Sequence, residues 1–349
     1  MNYKAITVFG PMDVRYIDKE LPPVPPEHVR IRVKAAGVCG TDVEILTNEM
    51  FYYTSGMAKL PITPGHEWSG VIEELGEGVT GFAVGDTVTG ECTVACGHCP
   101  QCVAGKPNMC VNRTETGVMN RDGGYAEYIT FPVSALHKFS GLSFEEGAVI
   151  EPTCIATQAV IRGRVGPRDN VLVIGPGPIG LLAAQVAKKA YGARRVLITG
   201  TRDERLVRAK DYTDAQINVR KEDAAEAILR ELNGEKVNVI LECSAATDSF
   251  ELAQKVLAPA GRIVLAGFFG TKTAPCNWDF ISTTDAEIIG SLGSPGIWDF
   301  VISLIEDKKI DVTGIISHRM PLKSLEDFWE AFHTMTERRD NVCKVVLEI

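Results

Sequence analysis

No stretch of this chain is apolar for long enough to span a bilayer, and nowhere do lysines and arginines gather into a cluster. The first absence excludes a helical membrane protein. The second, together with a formal net charge of −9, excludes a nucleic-acid binder, because phosphate backbones recruit basic side chains in groups. Internal repeats and low-complexity tracts are missing too. The opening residues, Met1 to Ile6, enter a strand-like pattern directly and lack the apolar core of a secretory signal. What remains is a chain of 349 residues, 45% hydrophobic and 23% charged, as in ordinary globular enzymes. That length exceeds one comfortable core and points to two domains. The expectation is a cytoplasmic protein that handles small molecules, with no nucleic-acid or membrane partner.

Cysteine is where the chain is rich. Ten are present, and Cys96, Cys99, Cys102 and Cys110 fall in one run spaced C-x2-C-x2-C-x7-C. Four thiolates held this closely suit a closed, tetrahedral, structural zinc site. Disulfides are the main rival, but a cytosolic chain keeps its thiols reduced. The spacing matches neither common ferredoxin pattern. Ordinary reduced cysteines are the remaining alternative. Gly97, Gly105 and Pro107 punctuate the run, so the lobe, about residues 92–112, reads as a loop folded around metal rather than a helix. Cys92, Cys154, Cys243, Cys276 and Cys343 have no partner spacing and read as buried small hydrophobes.

The first half carries β-type runs broken by glycine and proline, clearest at 4–9, 29–35, 68–75, 87–89 and 125–131. Helical periodicity is scarce before about residue 143. After residue 170 the pattern changes. Val171 to Ile174 is a short continuous apolar run, as a buried parallel strand requires. Ile179, Leu182, Ala183, Val186, Ala187 and Ala190 then share one helical face. Further buried strands are expected at 196–199, 237–241, 263–266 and 287–290, with helices around 204–211, 222–232 and 248–257 between them. This alternation specifies a parallel α/β sheet wound right-handed. From about residue 310 strand signals return at 317–320 and 342–347, and this tail is expected to rejoin the first domain.

Gly175, Gly177 and Gly180 form G-x-G-x-x-G with Pro178 and Ile179, between the first buried strand and the first periodic helix. In that setting the motif is a dinucleotide turn, with phosphates at the helix N-terminus. An NAD site usually carries an acid at the end of the second strand, for the ribose 2′-hydroxyl. That acid is missing. Gly200, Thr201 and Arg202 stand there instead, and a hydroxyl with a guanidinium suits the 2′-phosphate of NADP. Arg205 joins them as a cofactor-binding candidate. Asp203 and Glu204 follow at once, and as first-turn acids they fit a structural role. The reading is NADP rather than NAD.

Three more segments carry donor groups: Cys39-Gly40-Thr41-Asp42, Gly65-His66-Glu67 and Glu151-Pro152. Cysteine, histidine and glutamate are ligands a catalytic zinc takes while keeping one position open, though spacing alone leaves their convergence open. With these motifs, the four-cysteine lobe and the glycine turn, the chain resembles the zinc-dependent medium-chain dehydrogenase/reductase family from end to end. Gly65 to Gly70 and Glu151-Pro152 are similar to its polyol and sugar-alcohol branch. The resemblance implies an α/β architecture: a GroES-like, β-rich catalytic domain over 1–155 and 300–349, and a Rossmann domain over 156–299, with the active site between them. It also implies two zinc ions per chain, the catalytic one held by Cys39 and His66, with Glu151 direct or through water and Glu67 exchanging onto the metal. Thr41 occupies the position that relays the substrate proton. Many relatives have histidine where Glu44 stands, so Glu44 is a candidate for the next proton acceptor.

The expected reaction is hydride transfer between a secondary alcohol and NAD(P), giving the ketone, in a homodimer or homotetramer. Threonine-dehydrogenase-like oxidation of an amino alcohol is the alternative enzyme, and a non-catalytic NADP-binding protein the alternative of another class. Phe51, Tyr52 and Tyr53, with Phe268 and Trp278, are candidates for lining the substrate space but read as ordinary packing.

Overall fold

Burial alternates along the strand His28–Val38, where Val29, Ile31, Val33 and Ala35 turn inward and the intervening residues do not. A strand patterned this way needs an apolar layer on one face only. It takes the centre of a seven-stranded sheet, in the order Leu136–Lys138, Thr87–Gly90, Glu67–Leu75, His28–Val38, Lys344–Glu348 and Ile316–Pro321. Tyr128–Pro132 also pairs with His28–Val38. Trp68, Tyr125 and Phe131 fill the core beneath, the Trp68 and Phe131 rings meeting edge-on at 5.0 Å.

The computed structural model describes residues 2–270 and 272–349. Met1 and Thr271, which fall within the expected domains, lie outside the described residues. The chain divides into two units. The first comprises Met1–Glu151, Gly293–Glu306 and Ile316–Ile349. The second comprises Pro152–Leu292 and Asp307–Ile315. Residues 307–315 thus go with the nucleotide unit, where Gln185 holds the Asp311 carbonyl at 3.0 Å.

The second unit is a six-stranded, wholly parallel sheet, ordered Ala215–Asn218, Arg195–Gly200, Asn170–Ile174, Val237–Glu242, Leu257–Leu265 and Glu287–Gly290. The order reverses beside Asn170–Ile174, all of whose residues are buried. Ligands of doubly wound sheets bind at such a switch point. The helix expected around 204–211 is shorter, Asp203–Leu206 followed by a 3-10 turn.

Helices absent from the sequence reading include Gly40–Thr47, Phe51–Thr54, Ile150–Arg162, Trp278–Thr284, Trp298–Glu306 and Leu325–Thr336. The last replaces a stretch read only for strands. Its Leu325, Phe328, Phe332 and Met335 follow helical spacing, and Ser324 caps it by accepting from the Asp327 amide. The four-cysteine lobe is mostly loop but contains an α-helical turn, Pro100–Val103, and a 3-10 turn, Pro107–Met109. Cys154 and Cys343 are buried, whereas Cys92, Cys243 and Cys276 are only half-buried. Among the described residues no helix is long and apolar enough to cross a membrane.

Candidate active site and metal centres

Cys39 ends the strand His28–Val38 and caps the helix Gly40–Thr47 from an extended conformation. The next strand, Glu67–Leu75, pairs antiparallel with it and matches Gly37 to Glu67. His66 immediately precedes that strand. The sheet register therefore brings distant residues together: ligand atoms of Cys39, His66 and Glu67 lie within 4.8 Å of one another. Glu151 is outside that group. It is 4% exposed, near the start of the helix Ile150–Arg162. Burial pushes its carboxyl up to about 7 against the pull of His66.

The polar groups here are incompletely satisfied. Asp42 accepts from the Cys39 amide at 2.9 Å and the Tyr125 hydroxyl at 2.6 Å through Oδ2. Its Oδ1 lies 3.8 Å from His66 Nδ1, and both atoms are buried without a hydrogen-bond partner among the described residues. Burial opposes a charged imidazole, yet Cys39, Asp42 and Glu151 together hold the His66 pKa well above its ordinary value. Anionic donors that draw a proton onto a buried histidine form a site suited to a cation. Thiolate, imidazole and carboxylate fit zinc, and Asp42 is placed to orient the imidazole from behind. The Thr41 hydroxyl is 3.8 Å from the Cys39 sulfur, and Glu44 stands half-buried on the same helix.

Sequence reasoning missed Lys344. Its ammonium meets both oxygens of Glu67, at 2.6 and 2.7 Å, and the Val38 carbonyl at 3.1 Å, with only 3% of the residue exposed. Burial disfavours the charge, but Glu67, Cys39 and Asp42 outweigh it and raise the pKa. A lysine inside the apolar run Val342–Leu347 was the available signal.

The four lobe cysteines likewise bring their sulfurs within 4.8 Å. Amides of Cys96 and Asn112 point at the Cys110 sulfur, each at 3.4 Å. The His98 amide helps to hold the Cys96 thiol down to about 6, while burial pushes Cys102 up to about 12. All ten cysteines are free thiols. Amide-supported thiolates crowding one another are what a tetrahedral zinc neutralises.

In the nucleotide unit, Gly175 takes φ 103°, where a side chain is strained, and a Cβ there would meet Ser244 at 2.7 Å. Gly177 caps the helix Pro178–Gln185, and Ile179 and Gly180 fall in its first turn. At the end of the second strand Gly200 is buried, and a Cβ would approach the Pro176 ring to 2.5 Å. An acid has no room there. Thr201 is exposed, and Arg202 caps the turn Asp203–Leu206, which includes Arg205. Asp203 is engaged by Asn218 at 2.7 Å and by Lys221.

The aromatic candidates divide. Tyr52 and Tyr53 pack in a satellite core with Ile45, Met50 and Met119. Phe51, Phe268 and Trp278 are exposed, contrary to the packing expected of them.

Residues 25–141 match the alcohol dehydrogenase GroES-like domain family, and residues 178–307 match the zinc-binding dehydrogenase family. The chain is 35% identical to a sorbitol dehydrogenase of Halalkalibacterium halodurans over 90% of each protein. An alcohol dehydrogenase structure from Escherichia coli, complexed with NADH, is 31% identical with a TM-score of 0.90, covering 100% of this chain and 99% of the other. A zinc-binding dehydrogenase of Sinorhizobium meliloti bound to NADP is 26% identical, with a TM-score of 0.91 and full coverage of both, at 100%.

Proposed function

The chain belongs to the zinc-dependent medium-chain dehydrogenase family, in its polyol-dehydrogenase-like branch, and on that premise we propose that it oxidises a secondary alcohol of the polyol class to the ketone with NADP as acceptor. The observation that carries this reading is the convergence of Cys39, His66 and Glu67 to within 4.8 Å. These three hold the catalytic metal, with Glu151 as a further ligand, direct or through water, and the four lobe cysteines hold a second zinc. Zinc bound there supplies Lewis acidity that lowers the pKa of an alcohol, and the nicotinamide supplies the hydride acceptor. The Thr41 hydroxyl takes the substrate proton outward, and Glu44 or solvent receives it. Asp42 faces the imidazole of His66 from 3.8 Å, and Lys344 holds Glu67 in place.

Nucleotide choice rests on the end of the second strand. The Pro176 ring bars an acid at Gly200, and Lys221 with Asn218 engages Asp203, so neither of these two positions offers the ribose a free carboxylate. Thr201, Arg202 and Arg205 stand at this turn and would receive a 2′-phosphate. Arg202→Ala is expected to weaken NADP binding by roughly ten- to a hundredfold with NAD little changed. Kinetics on a panel of polyols and simple secondary alcohols, with each nucleotide and with zinc counted per chain, test the reading. Two zinc ions and polyol turnover support it; a metal-loaded chain that oxidises no alcohol ends it. The working form is a homodimer or homotetramer, measurable by light scattering.

A further inference from the structure

The metal donors do not exhaust the charge buried in the first unit. Tyr52, from the turn Phe51–Thr54, donates its hydroxyl to Glu115 Oε1 at 3.1 Å. Arg113 Nε donates to the same oxygen at 2.9 Å, and its Nη1 reaches the Cys110 carbonyl at 3.3 Å. The Glu115 side chain is 9% exposed and that of Arg113 14%. Both donors converge on Oε1, and Oε2 takes no hydrogen bond among the described residues.

Such a pair is a poor device for stability. Removing a carboxylate and a guanidinium from water costs several kcal/mol each, and apolar side chains of similar size commonly do as well or better. The surroundings here are already apolar: Ile45, Met50, Val118 and Met119 pack with Tyr52 and Cys92. A charged pair set into that wall with one oxygen spare is an arrangement for binding something polar.

Its place supports that use. Glu115 lies on the strand Thr114–Thr116, opposite Thr93 in the ladder, and the Thr116 amide donates to the Cys92 carbonyl at 2.8 Å. Cys92 shares its cluster with Ile45, which stands on the helix that starts at Cys39. That cluster thus links the strand of Glu115 to the helix that begins beside Cys39.

We infer that Glu115, held by Arg113 and Tyr52, accepts a hydrogen bond on Oε2 from a second hydroxyl of the substrate, and so selects diols and polyols over simple secondary alcohols. The guanidinium offsets the carboxylate charge, which suits a neutral hydroxyl better than an ammonium group. Glu115 is on this account a specificity residue; the metal site carries the chemistry. The inference rests on the alcohol-dehydrogenase reading of the same site.

The test compares 2,3-butanediol with 2-butanol, and a longer polyol with its deoxy analogue, on the zinc-loaded enzyme. Glu115→Gln weakens the charge-assisted bond and is expected to raise KM for the diol and polyol about tenfold, with KM for the mono-alcohols and all kcat values within about twofold. The double variant Arg113→Met/Glu115→Val leaves no lone charge buried, and it is expected to raise KM for diol and polyol about a hundredfold. It also serves if the single variant fails to fold. Equal KM changes on both substrate types would make Glu115 a structural residue and overturn the inference. So would a double variant that keeps its preference for the diol. Parent enzyme that oxidises mono-alcohols but prefers no diol or polyol sinks this inference alone. Parent enzyme that oxidises neither sinks the dehydrogenase reading beneath it.

Discussion

The four-cysteine lobe and the Cys39–His66–Glu67 cluster are both groups that could hold a metal ion, yet they are assembled in opposite ways. The lobe takes four identical ligands from one short loop, with backbone amides aimed at their sulfurs. The cluster takes three different ligands from the end of one strand and the start of its neighbour, and leaves His66 Nδ1 and Asp42 Oδ1 without partners. A site that only holds metal can be written in a single loop. A site that also leaves room for a reactant needs donors anchored on rigid elements and tuned from behind.

The two should therefore fail differently. His66→Ala is expected to lower kcat/KM at least about a thousandfold, since Lewis-acid stabilisation is worth several kcal/mol. Zinc should fall from two to one per chain, and nucleotide affinity measured by fluorescence should persist. A variant that keeps turnover would remove the cluster from catalysis.

Lys344→Met probes the support of the cluster. It strands the Glu67 carboxylate in a buried site, at a cost of about 3–5 kcal/mol in denaturant unfolding, and Glu67→Gln added to it should recover much of that. If the single variant is as stable as the parent, the ion pair contributes little.

Cys99→Ser or Cys102→Ser probes the lobe. One zinc should be lost and the melting temperature should drop by roughly 5–10 °C, because metal binding and folding of the loop are one process. Unchanged metal content would dissolve the comparison.

His137 makes a contrast with both clusters, a clasp that uses a proton where they could use a metal. Its ring stacks on Trp298 at 5.3 Å and bonds Glu91 and Asp299 at 3.2 and 2.7 Å. Burial opposes its charge, but the two carboxylates outweigh it and raise its pKa. The stability it adds is thus complete below its unfolded value and fades as pH rises through the raised one. With Asp299 largely in solvent, His137→Gln should cost only about 0.5–1 kcal/mol at pH 5.5 and less at pH 9. A cost that grows with pH contradicts this.

Whatever was local could be read from the sequence. The lobe cysteines, the glycine turn and the buried strand Asn170–Ile174 declare themselves within a few residues. The meeting of Cys39 with His66 was suggested only by resemblance, because it depends on the pairing of His28–Val38 with Glu67–Leu75. Lys344 was hidden by a separation of 277 residues from Glu67. The helix Leu325–Thr336 was passed over although its apolar spacing is regular, since strand signals on both sides drew the reading.

The strand Lys344–Glu348 sits between His28–Val38 and Ile316–Pro321, so the first unit is closed by nearly the last residues of the chain. A chain made from its N-terminus thus has its Cys39, His66 and Glu67 long before the ammonium that balances them. The nucleotide unit, drawn mainly from the continuous segment Pro152–Leu292, has most of its sheet partners while that strand is still unmade. The four lobe cysteines are likewise all made well before Lys344 can pair with Glu67.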